Sequence, residues 1–156
     1  MQKLSHVMLM LAIVTFASMG NATAEEKADP SAELAKLAGT YSFADGEKNG
    51  DPPPPEVLEQ FKKFQVVIKG KSFKFVMEGK PDRDNEIKID PTKSPKQIEL
   101  TGTTNDGKKK ATVLGIYTIE GKKLKICIDE SGKARPTEFA TKGKGPGVIT
   151  LVFERK

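Results

Sequence analysis

The chain predicts an all-β fold, an eight-stranded antiparallel up-and-down barrel with a short N-terminal helix. Three observations carry that expectation. Apolar and polar residues alternate in short runs: Phe73, Phe75 and Met77 against Lys74 and Glu78; Ile87 and Ile89 against Glu86, Lys88 and Asp90; Leu124, Ile126 and Ile128 against Lys123, Lys125 and Asp129. Period two is the strand period, because successive side chains point to opposite faces of a sheet. Turns built from Gly, Lys, Asp or Asn separate the runs, and no long helical pattern interrupts them between Phe64 and Arg155. Short strands joined to their sequence neighbours close most simply as a barrel, which removes exposed edges.

Residues 1–24 read as an export signal peptide. Lys3 and His6 make a weakly basic start, Val7 to Met19 is apolar, and Ala22-Thr23-Ala24 puts small residues where a signal peptidase reads them, so cleavage is expected after Ala24. The apolar stretch is short beside the roughly 20 residues of a membrane helix, so no transmembrane anchor is expected in the mature chain. The protein is therefore expected to be secreted, in the periplasm or outside the cell. No cysteine lies near the cleavage site, which argues against a lipid anchor.

Residues 25–34 are expected to form a polar segment and the start of a helix capped by Ser31, with Leu34 and Leu37 on one side and Gly39 at its end. Residues 35–156 are expected to form the barrel. Its first strand spans roughly Thr40 to Phe43 and fades into Asp45-Gly46 and Asn49-Gly50 turn signals. Pro52 to Pro55 cannot donate backbone hydrogen bonds and read as a connector, followed by one or two helical turns from Glu56 to Lys62 with Val57, Leu58 and Phe61 inward. Seven further strands are expected near Phe64–Lys69, Ser72–Glu78, Glu86–Ile89, Gln97–Thr101, Lys110–Ile119, Lys122–Ile128 and Val148–Arg155. The tightest hairpins fall at Lys69-Gly70-Lys71 and Glu120-Gly121, Asp106-Gly107 is a further turn, and the longest irregular stretch runs from Asp129 to Gly147.

The formal net charge of +5 falls by one when Lys3 leaves with the leader. Lysines scattered among acids read as a solvated surface, with Lys108-Lys109-Lys110 as the block best suited to an anionic polymer or lipid headgroups. The only histidine, His6, lies in the leader, so a Ser-His-Asp triad, a Cys-His pair and histidine metal sites are excluded from the mature chain. Gly102 to Lys108 opens like a phosphate-binding loop, but Lys109 stands where Ser or Thr should hold magnesium, and a strand follows where a helix is required. Asp82, Asp84 and Glu86 alternate like a calcium loop, yet Ile87 replaces its glycine and Lys93 its closing glutamate. The acids occupy turns or polar strand positions, so no carboxylate with a raised pKa is expected and no catalytic residue is assigned. Phe73 and Phe75 beside Lys71 and Lys74 could form a nucleic-acid platform, but their shared parity with Met77 makes them core, and no nucleic acid is expected as partner. Cys127 is the only cysteine, so no internal disulfide can form. No metal and no cofactor is expected.

Several blocks carry a resemblance. Leu37-Ala38-Gly39-Thr40-Tyr41 opens like the lipocalin Gly-x-Trp strand; Ile89 to Leu100, Leu114-Gly115-Ile116-Tyr117, Leu124-Lys125-Ile126-Cys127 and Arg135-Pro136-Thr137-Glu138-Phe139 follow in order. The chain resembles the uncharacterised planctomycete lipocalin-like domain family of small exported proteins, over about Ala35 to Arg155. The resemblance implies a lipocalin-like barrel and no established activity. It also implies a seam in which an Arg from the last strand packs on the aromatic ring of the first; here Tyr41 replaces the usual Trp, and Arg155 is the matching residue.

The expected role is non-catalytic: a monomer that binds a small apolar ligand inside the barrel, lined by Phe64, Val66, Phe73, Phe75, Ile87, Ile98, Leu124 and Ile126, with Ile68, Ile89 and Leu100 on the same inward face. The alternative is a secreted inhibitor or an envelope interaction module whose barrel is filled by its own side chains, since eight strands permit either interior. In the Arg135–Phe139 block, Pro136 fixes the entry, Phe139 is expected to plug a barrel end, and Arg135 to bond nearby carbonyls or a carboxylate, or else an anionic ligand.

Overall fold

A computed structural model describes residues 29–103 and 109–156, without the side chains of residues 81 and 82. The expected leader and cleavage site and the expected Asp106-Gly107 turn lie outside the described residues. Helix α1 (Pro30–Leu37) leads into β1 (Gly39–Lys48), α2 (Pro55–Lys62), β2 (Phe64–Lys69), β3 (Ser72–Met77), β4 (Lys80–Asp90), β5 (Lys96–Thr103), β6 (Lys110–Glu120), β7 (Lys123–Asp129) and β8 (Val148–Arg155). The eight strands pair antiparallel with their sequence neighbours, and β8 returns to β1 to close the barrel.

Three boundaries differ from the sequence expectation. Asp29, not Ser31, caps α1: its carboxylate accepts the Ser31 N–H at 2.9 Å, which places the cap just ahead of Pro30 at the first helical turn. Strand β1 continues through Asp45-Gly46, because a bulge between Phe43 and Asp45 absorbs one residue and lets Asp45 to Lys48 pair with β8. The turn comes at Asn49 and Gly50, both left-handed, and Lys48 bridges to Asp51. Strand β4 begins at Lys80, six residues before its apolar alternation starts, because the left-handed Glu78-Gly79 turn folds Lys80 directly onto Met77. That half of β4 is polar, so its pairing left no periodic signal.

The floor of the barrel, where β1 starts and β8 ends, is covered by α1. The opposite end lies under α2, which joins the far end of β1 to the start of β2. Leu58 and Phe61 of α2 pack on the core, whereas Val57 is exposed, contrary to its expected inward placement. Val57 and Phe61 are four apart and Leu58 and Phe61 three apart; an eight-residue helix resting on a barrel rim buries only one narrow stripe. Phe61 stacks on Phe43 with ring centroids 4.9 Å apart, and Phe153 meets Phe43 edge-on at 6.2 Å. Such pairs add about 0.5–1.5 kcal/mol beyond their area burial.

Candidate functional site

The inward side chains form one contiguous buried cluster. Val66, Ile68, Phe73, Ile87, Ile89, Ile98, Leu100, Leu124 and Ile126 are buried in it, together with Tyr41, Phe43, Tyr117 and Phe153. Phe75 is half-buried against this cluster and 5.3 Å from the Phe73 ring, while Phe64 reaches the Phe61 ring at 6.3 Å, towards the α2 end. Of the recesses on the described surface, two stand out, and neither is lined by these inward residues.

At the floor, Tyr41 pairs with Arg155 across the β1–β8 seam. The Arg155 guanidinium lies 5.3 Å from the Tyr41 ring centroid, within the roughly 6 Å reach of a cation–π contact. The Tyr41 hydroxyl donates to the Leu37 carbonyl at 2.8 Å and accepts from Arg155 Nη2 at 2.7 Å and Nε at 3.2 Å. Arg155 also donates to the Lys36 carbonyl, so one side chain closes the seam and holds the end of α1. A Cβ on Gly39 would stand 3.2 Å from Arg155 Nε, so the glycine two residues before Tyr41 makes room for the guanidinium.

Beside this seam sits a cluster that the sequence reading missed. Glu33 is 5% exposed, accepts from the Lys96 ammonium and from the Tyr117 hydroxyl at 3.4 Å, and pairs with Lys36 at 3.5 Å. Burial pushes the Glu33 carboxyl up, but the Lys96 ammonium, with Lys36 behind it, outweighs burial and holds the group below the ordinary glutamate value. Burial and the neighbouring Glu33 carboxylate push the Tyr117 hydroxyl far up, so it keeps its proton. The available signal was helical spacing: Glu33 and Leu37 are four apart and share the buried face of α1.

The 130–147 segment lies against the outer wall instead of an end of the barrel. Phe139 therefore does not plug the barrel, contrary to expectation; it packs on Ile116, Cys127 and Val148. Those three belong to the outward parity of β6, β7 and β8, which is apolar here because this strap covers it. Arg135 Nη1 donates to the carbonyls of Ile98 at 2.8 Å and Gly115 at 2.6 Å, and Nη2 to Glu99 Oε1 at 2.8 Å. The charged fork is thus occupied by protein acceptors. At the base of the strap, Asp129 accepts from Ser131 N–H and Oγ and from Ala134 N–H, bonds that hold its carboxyl below the ordinary aspartate value. Thr141, fully buried, accepts the Gly50 N–H at 2.9 Å and donates to Glu47, tying the strap to the end of β1. Thr150 donates to the Phe139 carbonyl at 3.3 Å. Burial pushes the Cys127 thiol up, so it is a poor nucleophile.

Between strap and wall lies a recess of about 170 Å³, lined by Asp129, Arg135, Pro136, Thr137, Glu138 and Val148 among others. A wider, open recess of about 360 Å³ lies over β3 to β6, with Ser72, Asp84, Glu86, Thr101, Thr103 and Lys110 in its polar lining. The first is small beside the roughly 300–1,000 Å³ of a drug-sized site, and the second offers no apolar body. Among the described residues, no three His, Cys, Asp or Glu side chains converge as a metal site would require, and no helix is long and apolar enough to cross a membrane. No family model, curated protein or solved structure matches the chain.

Proposed function

We propose that the protein is an exported, non-catalytic, lipocalin-like interaction module, monomeric, with a barrel filled by its own side chains. One observation carries the choice over a carrier: the inward residues pack on one another and both recesses lie outside the barrel. An apolar ligand would have to displace the Phe43, Phe61 and Phe153 cluster beneath α2, whose stacked rings already bury the surface it would contact. The residue blocks from Gly39-Thr40-Tyr41 to Arg135–Phe139 support a place in the planctomycete lipocalin-like family, and the Tyr41–Arg155 contact fits that reading. Export rests on the leader-like residues 1–24.

Equilibrium dialysis against a labelled long-chain fatty acid and a labelled polyene tests the filled barrel. No stoichiometric binding is expected, and one-to-one uptake of either ligand would restore the carrier. Expression of the full chain in a Gram-negative host is expected to yield a periplasmic form beginning at Glu25; retention in the cytoplasm with Met1 intact would refute export.

A further inference from the structure

We propose that the recess between the strap and the outer wall is an anchor site for one apolar side chain of a partner polypeptide, whose main chain runs along residues 135–140. The inference rests on the interaction module proposed above and names its contact site; it is read at the strap and the filled barrel is read by dialysis, so either can fail alone. The recess holds about 170 Å³. An engineered apolar cavity of roughly 150 Å³ takes up one benzene, so this volume suits a single leucine- or phenylalanine-sized group. Ala134, Pro136, Ala140 and Val148 give it an apolar body. Glu138 and Lys144 line it too, ion-paired at 2.5 Å and about half exposed, so its charged groups stay in contact with solvent. An apolar pocket bordered by polar groups is the pattern of a binding hot spot.

The main chain beside the recess points to a peptide and not to a bare hydrocarbon. Residues 135–140 belong to no helix or strand, and among the described residues the N–H groups of Thr137, Glu138, Phe139 and Ala140 reach no protein acceptor. Of the carbonyls in this stretch only that of Phe139 is taken, by the Thr150 hydroxyl. A polypeptide carries one donor and one acceptor at nearly every residue, so a chain whose side chain enters the recess meets unpaired donors and acceptors next to it. A hydrocarbon would use none of them. The stretch is also fixed in advance: Arg135 bonds the Ile98 and Gly115 carbonyls and Glu99, Asp129 holds the Ser131 and Ala134 N–H groups, and Phe139 packs on the wall. Order present before association lowers what binding costs. The wider recess over β3 to β6 has a polar lining and offers no seat for an apolar anchor.

Titration of the isotope-labelled mature chain with N-acetyl-leucine N-methylamide, followed in amide proton–nitrogen correlation spectra, tests the site. Saturable shifts are expected at Ala134, Thr137, Glu138, Ala140 and Val148, with a dissociation constant of about 1–10 mM for so small a probe. N-acetylglycine N-methylamide, which lacks the anchor, is expected to bind roughly tenfold more weakly or worse. Benzene, which has the apolar body without the amides, is expected to lose about tenfold as well. Ala140→Trp places an indole at the exposed edge of the recess and should weaken the leucine probe by roughly tenfold or more, whereas Thr103→Trp, in the wider recess, should stay within about twofold of the parent. Circular dichroism melts confirm that both variants fold. Absence of saturable shifts at the strap, an equal response to the glycine probe or to benzene, or equal losses from the two variants would each overturn the proposal.

Discussion

The Tyr41 hydroxyl shows how much a single polar atom can organise when it is buried among partners. It joins α1 through Leu37 and β8 through Arg155, while its ring carries the guanidinium. Tyr41→Phe keeps the ring and leaves the Leu37 carbonyl and two arginine donors short of a partner, so urea unfolding is expected to show a loss of about 1–3 kcal/mol. A variant within a few tenths of the parent would mean the hydroxyl is idle. Glu33 supplies the pH dependence of the same floor. Its folded pKa is depressed, so the stabilisation is present above the unfolded glutamate value of about 4.3 and is lost as pH falls through the lower, folded value. Asp84, Asp90 and Asp129 are depressed as well, by hydrogen bonds from Ser72, Thr92 and Ser131 first, so the Glu33 share must be read as a difference. Glu33→Gln is expected to be less stable than the parent at pH 7, with the gap narrowing below about pH 4. A gap that is constant with pH would show that packing, and not charge, is what Glu33 contributes.

Among the elements, the strap over 130–147 departs furthest from its sequence. Ile116, Cys127 and Thr150 hold the outward parity of their strands, and an apolar residue there reads as a break in alternation unless a cover is known. Phe139 and Arg135 supply that cover, the first by packing and the second by reaching the Ile98 and Gly115 carbonyls. Gly115 also has no room for a side chain, since a Cβ would stand 2.6 Å from the Cys127 carbonyl oxygen and from Ile128 Cγ2. No periodicity encodes a loop lying flat on a sheet, so the sequence alone does not separate a Phe139 on the outer wall from one at a barrel end. Cys127 reports on this element. Its thiol is buried and its pKa raised, so native protein is expected to react very slowly with a disulfide reagent such as 5,5′-dithiobis(2-nitrobenzoate). Phe139→Ala removes the cover and should raise that rate by about tenfold or more at unchanged secondary structure, because access then requires only local opening. Equal rates in parent and variant would mean the strap does not shield the wall. Helix α2 makes the complementary case: Phe61→Ala removes the ring stacked on Phe43 and is expected to lower stability by about 3 kcal/mol or somewhat less, given its partial exposure.

At the scale of the whole molecule, the barrel was legible because its information is local: alternation fixes which face of each strand turns inward, and Gly turns fix which strands are neighbours. Closure was legible only as an inference from edge avoidance, with Tyr41 and Arg155 as its one specific marker. Whether the interior is filled was not legible at all, since alternating Ile, Phe and Leu serve a hollow and a packed barrel equally, and side-chain volume must be summed across eight strands at once. Closure has a dynamic consequence that an open sheet lacks. In a sandwich or an open sheet the first and last strands are edges, and their amides exchange with solvent through local fraying. Here β1 and β8 pair from Tyr41↔Arg155 to Lys48↔Ile149, and β8 pairs with β7 over nearly the same length, so β8 has no free edge, while β1 is paired on both sides at Tyr41 and Ser42 and on its β8 side beyond them. Opening the seam would also strip Phe43 and Phe153 from the core, so it should require most of the free energy of global unfolding. Native-state hydrogen exchange is therefore expected to give slow amides of β1 and β8 the same opening free energy as those of β5 and β6, with denaturant sensitivity equal to the global m-value. If the β1 and β8 amides instead open by a small, denaturant-independent step while β5 and β6 remain protected, the seam is a fraying edge and the barrel is closed only loosely between its first and last strands.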